Sequence, residues 1–304
     1  MKNKKTELAK PYHIPVLVQE VLTYLDPKPG KVYVDATFGG GGHTKAILEK
    51  EPSCTVIAMD WDLVALEKNG DPLLEHYPDN LKLIWSNFSQ IDMKLKKEGI
   101  GTVDGILADF GTSQYQLTER EGFSFATDTP LDMRMSPAHQ KTTAAHVVNK
   151  ATEQELLTIF KELGEEPKSR AIARLICAER KKKRIITTKQ LVDLIEKVCG
   201  PKRGKKIHPA TKIFQALRIY VNRELENIIA FLPAALRALK PEGRLVCISF
   251  HSLEDRLVKQ FFRDKAQSGE GFESLTPKAV LPSDQEIAIN PASRSARLRA
   301  LKVK

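Results

Sequence analysis

Four consecutive glycines, Gly39-Gly40-Gly41-Gly42, stand between a short β-rich run, Val32-Tyr33-Val34, and a helical stretch from His43 to Lys50. A strand-to-helix junction stripped of side chains lets a ligand approach the backbone closely, because glycine adds no Cβ and tolerates positive φ. Asp35 closes the run before the glycines. A second apolar run, Thr55 to Met59, ends on Asp60, and Leu81–Trp85 alternates as a third strand. A fourth, Gly105–Ala108, ends on Asp109. Strands alternating with helical patterns predict βαβ units and a mainly parallel sheet, which takes its ligand over the carboxyl ends of the strands.

The acids at those strand ends narrow the ligand. No G-x-x-x-x-G-K-[ST] occurs, which excludes a P-loop nucleotidase. Asp60 is placed to accept hydrogen bonds from both hydroxyls of an adenosine ribose. The pyrophosphate of NAD asks for a helix N-terminus without a neighbouring carboxylate. Asp35 and Asp109 instead suit a cation. S-adenosyl-L-methionine carries an ammonium and a sulfonium, and is favoured over NAD, with an NAD-dependent oxidoreductase as the alternative.

From about residue 115 the strand signals stop. Thr152 with Glu155 and Thr187 with Gln190 are capping boxes, each ahead of a helical apolar pattern, and Gly200-Pro201 ends the second helix. The expected division is a core over 1–115, an all-helical insertion over 116–206, and the rest of the core over 207–304. In that last part Ile213 to Leu232 reads as one long helix and Pro241-Glu242-Gly243 as a turn. Leu245–Phe250 reads as a buried strand, with weaker strands at Phe272–Leu275 and Ala296–Val303.

The net charge of +10 is concentrated. Residues 161–206 hold fifteen Lys/Arg against six Asp/Glu, and residues 294–304 hold five basic residues and no acid. Basic segments on a mildly acidic body predict a polyanionic partner. Cys54, Cys177, Cys199 and Cys247 are widely spaced, which argues against a disulfide framework or a zinc cluster and fits a reducing cytoplasm. No apolar stretch is long enough for a membrane span, and no secretory signal is expected.

The whole pattern resembles the ribosomal RNA small subunit methyltransferase H family, which methylates cytosine N(4) in the decoding region of 16S rRNA. The resemblance rests on Asp35–His43, Gly122-Phe123-Ser124-Phe125, Leu131-Asp132-Met133-Arg134-Met135, and His208-Pro209-Ala210-Thr211. It continues through Phe214–Ile219, Ser249–Arg256, Asn290-Pro291 and Arg294-Ser295-Ala296. It implies an α/β fold with a Rossmann-like, S-adenosylmethionine-dependent methyltransferase core. That core is a doubly wound, mainly parallel sheet with an antiparallel C-terminal strand, carrying an inserted all-helical domain. It further implies that Gly41, Gly42, His43, Asp60, Phe88, Asp109 and Gln116 contact the cofactor. The implied setting is the cytoplasm, acting on 16S rRNA or the small ribosomal subunit, as a monomer or homodimer. The chain departs from the family pattern at Phe110–Tyr115, at Glu121 and at Trp61, which leaves open a relative with another RNA target or a non-catalytic assembly factor.

Asp109, His251 and Asp255 are the candidate catalytic groups. Asp109 ends the fourth strand, where it would hold either the ammonium or the target amine. His251 and Asp255 follow the fifth strand, where the simpler alternative is a capped turn into a helix. Phosphate contacts are expected from Arg180, Lys181, Lys182, Lys183 and Arg184, from Lys202, Arg203, Lys205 and Lys206, and from Lys212 and Arg218. Phe110, Tyr115, Phe123 and Phe125 are candidates to stack on a target base, or to pack under the loop. No metal-ligand spacing is present.

Overall fold

Strand β1, Val32–Asp35, is buried along nearly its whole length, as a central parallel strand must be. β2 (Thr55–Asp60) pairs with it on one side, and β3 (Leu81–Trp85) pairs with β2. β4 (Val103–Asp109) pairs parallel to β1 on the other side and is followed outward by β5 (Leu239–Ser249). β6 (Phe272–Ser274) and β7 (Arg297–Val303) complete seven strands in the order β3-β2-β1-β4-β5-β7-β6. β7 runs antiparallel to both β5 and β6. This is the expected doubly wound α/β arrangement, in a computed structural model that describes residues 14–111, 120–201 and 208–304. Strand order reverses between β1 and β4, so the crevice that receives a ligand opens beyond Asp35 and Asp109.

The chain forms two compact units. One holds the sheet and takes in the chain up to Tyr115 and from Ile229 to Lys304; the other is Gln116–Ile228. In the first, Tyr33, Val56, Leu107, Val246, Ile248 and Leu298 are among the buried residues of one core. In the second, Phe160, Ile172, Ile176, Leu191, Ile195, Ile213 and Leu217 form a core of their own. Both capping boxes are formed: Thr152 starts helix Glu153–Thr158 and Thr187 starts helix Thr188–Cys199.

Three local readings need correction. The long helix is two, Ala210–Asn222 and Glu224–Ala238, because Arg223 takes a left-handed conformation at φ 51°. The buried Asn222 secures the break: its side chain donates to the Met133 and Arg218 carbonyls and accepts from the Met135 amide. The second boundary therefore falls after Ile228 rather than at 206/207, with helix Ala210–Asn222 in the helical unit. Gly164 there lies so close that a Cβ would meet the Lys212 carbonyl oxygen at 2.7 Å. Finally, Pro241-Glu242-Gly243 is not a turn ahead of the strand but lies inside it. It bulges within β5, where the pairing with β4 jumps from Val103–Leu239 to Gly105–Arg244 and Glu242 takes φ 66°.

Candidate active site

The glycine loop is held in place by its neighbours' side chains. The Gly39 amide donates to Asp60 Oδ2 at 2.8 Å, and Asn69 donates to the Gly39 carbonyl at 3.0 Å. Gly41 sits at φ +74°, and a Cβ on it would lie 2.8 Å from the Phe38 ring. A Cβ on Gly42 would come equally close to Pro15. The run thus does two jobs: it turns the chain into helix Gly42–Lys50, and it lets that helix start pack tightly.

Beneath the loop lies a network of acids. Asp35 is 1 % exposed; it accepts from Thr44 Oγ1 at 2.7 Å and from the Thr37 amide at 3.2 Å. Burial pushes its carboxyl upward, against the pull of His43 and of those hydrogen bonds. Thr37 Oγ1 accepts the Asp109 amide at 2.7 Å, which ties the end of β4 to the loop after β1. Thr37 and Thr44 were not singled out in the sequence. The available signal was their position, two and nine residues after the first strand-end acid.

Asp60 accepts the Gly39 and Asp62 amides, one on each oxygen at 2.8 Å. Burial raises its carboxyl to about 7 despite those bonds. Each oxygen keeps a lone pair, so the same carboxylate can also take ribose hydroxyls. His43 is 5 % exposed, with Nε2 3.4 Å from Asp109 Oδ2. Asp109 Oδ1 is buried and, among the described residues, accepts no hydrogen bond. A buried carboxylate oxygen without a donor marks an incomplete constellation. An ammonium supplies the missing donor, so this donor set fits S-adenosylmethionine.

Phe88 is half-buried and packs with Phe110 at 5.7 Å and Phe231 at 5.4 Å between ring centroids. Phe110 is only 2 % exposed, so it is core, not a stacking platform. Phe123 is buried as well, and Phe125 stacks on His208 at 4.7 Å and meets Phe214 edge-on. Gln116, Tyr115, Lys202, Arg203, Lys205 and Lys206 lie outside the described residues.

Two candidate catalytic groups have other work. His251 caps helix Ser252–Gln267: Nδ1 accepts the Glu254 amide, and Nε2 lies 3.2 Å from Glu254 Oε1, which assigns the neutral ring's proton to Nε2. The capped turn into a helix is thus present, and Glu254 within it is fully buried, its Oε2 accepting the Phe250 amide at 2.7 Å. Asp255 is 2.7 Å from Arg299 Nε and 3.2 Å from Arg297 Nη1, a bridge between this helix and β7. Burial alone would raise its carboxyl, but the two guanidiniums outweigh that and hold it below the usual range.

The basic groups also separate. Lys181, Lys182, Lys183 and Arg184 are exposed at the end of helix Ser169–Glu179, with Lys182 paired to Glu179 at 2.8 Å. Arg180 instead donates to the Val148 carbonyl, and Lys212 to the Glu165 carbonyl, both at 2.8 Å. Arg218 is bound to Glu224 by a two-pronged pair at 2.8 and 2.9 Å, which removes it from the phosphate contacts.

Comparison with known proteins agrees with this geometry. A relative from Rhodopseudomonas palustris, named Ribosomal RNA small subunit methyltransferase H, is 49 % identical over 302 residues, covering 95 % of this chain and 90 % of its own length. Proteins of the same name from Thermomicrobium roseum and Syntrophotalea carbinolica are 47 % and 45 % identical. They cover 95 % of this chain and 92 % and 97 % of their own lengths. The profile of the MraW methylase family matches residues 10–304, from before the first helix to the last strand. Glycine loop, sheet and helical unit all fall inside one pattern, and the chain belongs to the MraW methylase family.

Proposed function

We propose that this protein transfers a methyl group from S-adenosylmethionine to N(4) of a cytidine in the decoding region of 16S rRNA, in the cytoplasm. The observation that carries the reading is the buried Asp109 Oδ1, without a donor among the described residues, beside the strand-order reversal, with Asp60 on β2 at the far side of β1. The relatives' common name supports ribosomal RNA as substrate.

The cofactor supplies an electrophilic methyl group on a sulfonium. The protein's part is binding and alignment. Asp109 takes the ammonium, Asp60 the ribose hydroxyls, and Gly41 and Gly42 the close backbone approach. Phe88 offers an apolar face on the same side. The target amine is a poor nucleophile, since its lone pair is delocalised into the ring, and no side chain is basic enough to remove its proton first. The rate therefore depends on holding the nitrogen in line with the sulfur–methyl bond. Methyl transfer would leave the amine nitrogen cationic, and its surplus proton would pass to solvent water. The base has to leave its stack for this. Lys181, Lys182, Lys183 and Arg184 position the RNA through its phosphates without reading its sequence.

The test is nucleoside mapping by mass spectrometry of small-subunit rRNA from cells with and without the protein. Loss of one N(4)-methylated cytidine is expected. An unchanged map contradicts the reading.

A further inference from the structure

His43 is a buried histidine with an unusual set of neighbours. Its Nε2 faces Asp109 Oδ2 at 3.4 Å, and apart from that pairing neither ring nitrogen has a hydrogen-bond partner among the described residues. Among the described residues, the charged groups that act on it are Asp35 at the end of β1, Asp109 at the end of β4, and Glu286 on helix Asp284–Ile289. All three are acids. Glu286 and Asp35 are already engaged, by the Leu17 amide and by Thr44 and Thr37, and Asp109 is left facing the ring.

A carboxylate oxygen shielded from water needs a donor or a cation beside it. For Asp109 Oδ2 that neighbour, before the cofactor arrives, is the imidazole. Burial favours its neutral form, but Asp109, Asp35 and Glu286 together outweigh burial and favour the imidazolium. The arriving ammonium is a second cation for the same carboxylate.

We propose that His43 is a positioning residue for Asp109: its imidazolium holds the carboxylate in orientation through Oδ2, with Oδ1 left for the cofactor, and it gives up its proton to solvent when the ammonium binds. One N–H bond of the ring breaks, its electron pair stays on nitrogen, and the proton leaves to the buffer. Asp109 exchanges one cation for another, and the buried site never carries both. The exchange rests on the methyltransferase reading for the identity of the cation. It goes beyond that reading in giving the loop histidine a proton-linked task.

The experiment uses the full chain with histidine labelled for NMR and S-adenosylhomocysteine as probe, which has the ammonium but lacks the sulfonium. The His43 ring is titrated with and without the probe, and the ring is assigned by its contact to Thr44 or by the spectrum of His43→Gln. The midpoint should fall by about one pH unit or more on binding, the effect of a like charge placed beside the ring. Calorimetry in two buffers of different ionisation enthalpy should show proton release in the wild type. Burial raises the Asp60 carboxyl to about 7, so it is a second source of a proton, and the NMR midpoint assigns the released proton to the ring. A probe that binds while the His43 midpoint stays or rises overturns the proposal alone. A probe that does not bind at all overturns the methyltransferase reading, and the proposal with it.

Discussion

Asp60 does two jobs with one carboxylate. Inward it holds the Gly39 and Asp62 amides, and outward it is placed to take ribose hydroxyls. Asp60→Ala should weaken S-adenosylmethionine binding by about 1–3 kcal/mol, the cost of leaving those polar groups unpaired. Isothermal calorimetry checks this, and unchanged affinity removes Asp60 from the site. The strand-end acids were legible because a parallel sheet sends its strand ends to one side, so Asp35, Asp60 and Asp109 had to converge. What Asp255 and Arg218 do was not legible. The partners of Asp255 arrive from 42 and 44 residues away, across the antiparallel strand. Arg218 and Glu224 are six apart, which in a continuous helix puts them on different faces. Only the left-handed turn at Arg223 folds one back onto the other.

At the scale of elements, the helix after β5 and strand β7 are joined through Asp255. Both Asp255 and Arg299 are nearly buried, so Asp255→Ala leaves a buried guanidinium uncompensated. It should destabilise the protein by about 3–5 kcal/mol in a urea or thermal melt. The same pair makes the fold acid-sensitive. Asp255 titrates lower in the folded state than in the unfolded chain. Its contribution is therefore complete above the unfolded value, near 3.8, and is lost as pH falls through the folded one. A melt series in the variant should lack that part of the acid dependence. The glycine loop gives a paired test. Gly41 and Gly99 have nearly equal positive φ, but a Cβ on Gly41 meets the Phe38 ring and one on Gly99 meets nothing. Alanine at either position should cost about 1–2 kcal/mol of stability. Only Gly41→Ala should also weaken cofactor binding, and equal affinity in the two variants contradicts the loop's role. The loop and its helix could be read from glycine content alone. The bulge in β5 could not, because Pro-Glu-Gly is also good turn chemistry and only the pairing with β4 carries the strand through it.

At the scale of the whole molecule, the sequence divides its labour by charge. The sheet unit carries the strand-end acids Asp35, Asp60 and Asp109, proposed to meet a cationic cofactor, and the helical unit carries the exposed run Lys181–Arg184. Changing Lys181, Lys182 and Lys183 to Gln removes three charges from an exposed turn beyond helix Ser169–Glu179. It should lower affinity for small-subunit RNA and make the log–log salt dependence shallower by about 2–3 units if all three meet phosphate. S-adenosylmethionine affinity should be unchanged, since the run belongs to the other compact unit. A filter-binding series over salt concentration reads both terms, and an unchanged slope makes the run a solvated face. The alternation of strand and helix made the sheet unit legible. The end of the helical unit was not, since the apolar stripe from Ile213 to Leu232 continues in register across the break at Arg223.

The central claim is that methyl transfer depends on Asp109 at the end of β4. The most direct measurement is transfer of labelled methyl from S-adenosylmethionine to small-subunit RNA by the purified wild type and by Asp109→Ala, each shown to fold by its melt. Wild type should label one cytidine, and Asp109→Ala should be slower by about a hundredfold or more, the scale of losing a key electrostatic contact at a reaction centre. An Asp109→Ala protein that labels the same cytidine at the wild-type rate would contradict the account.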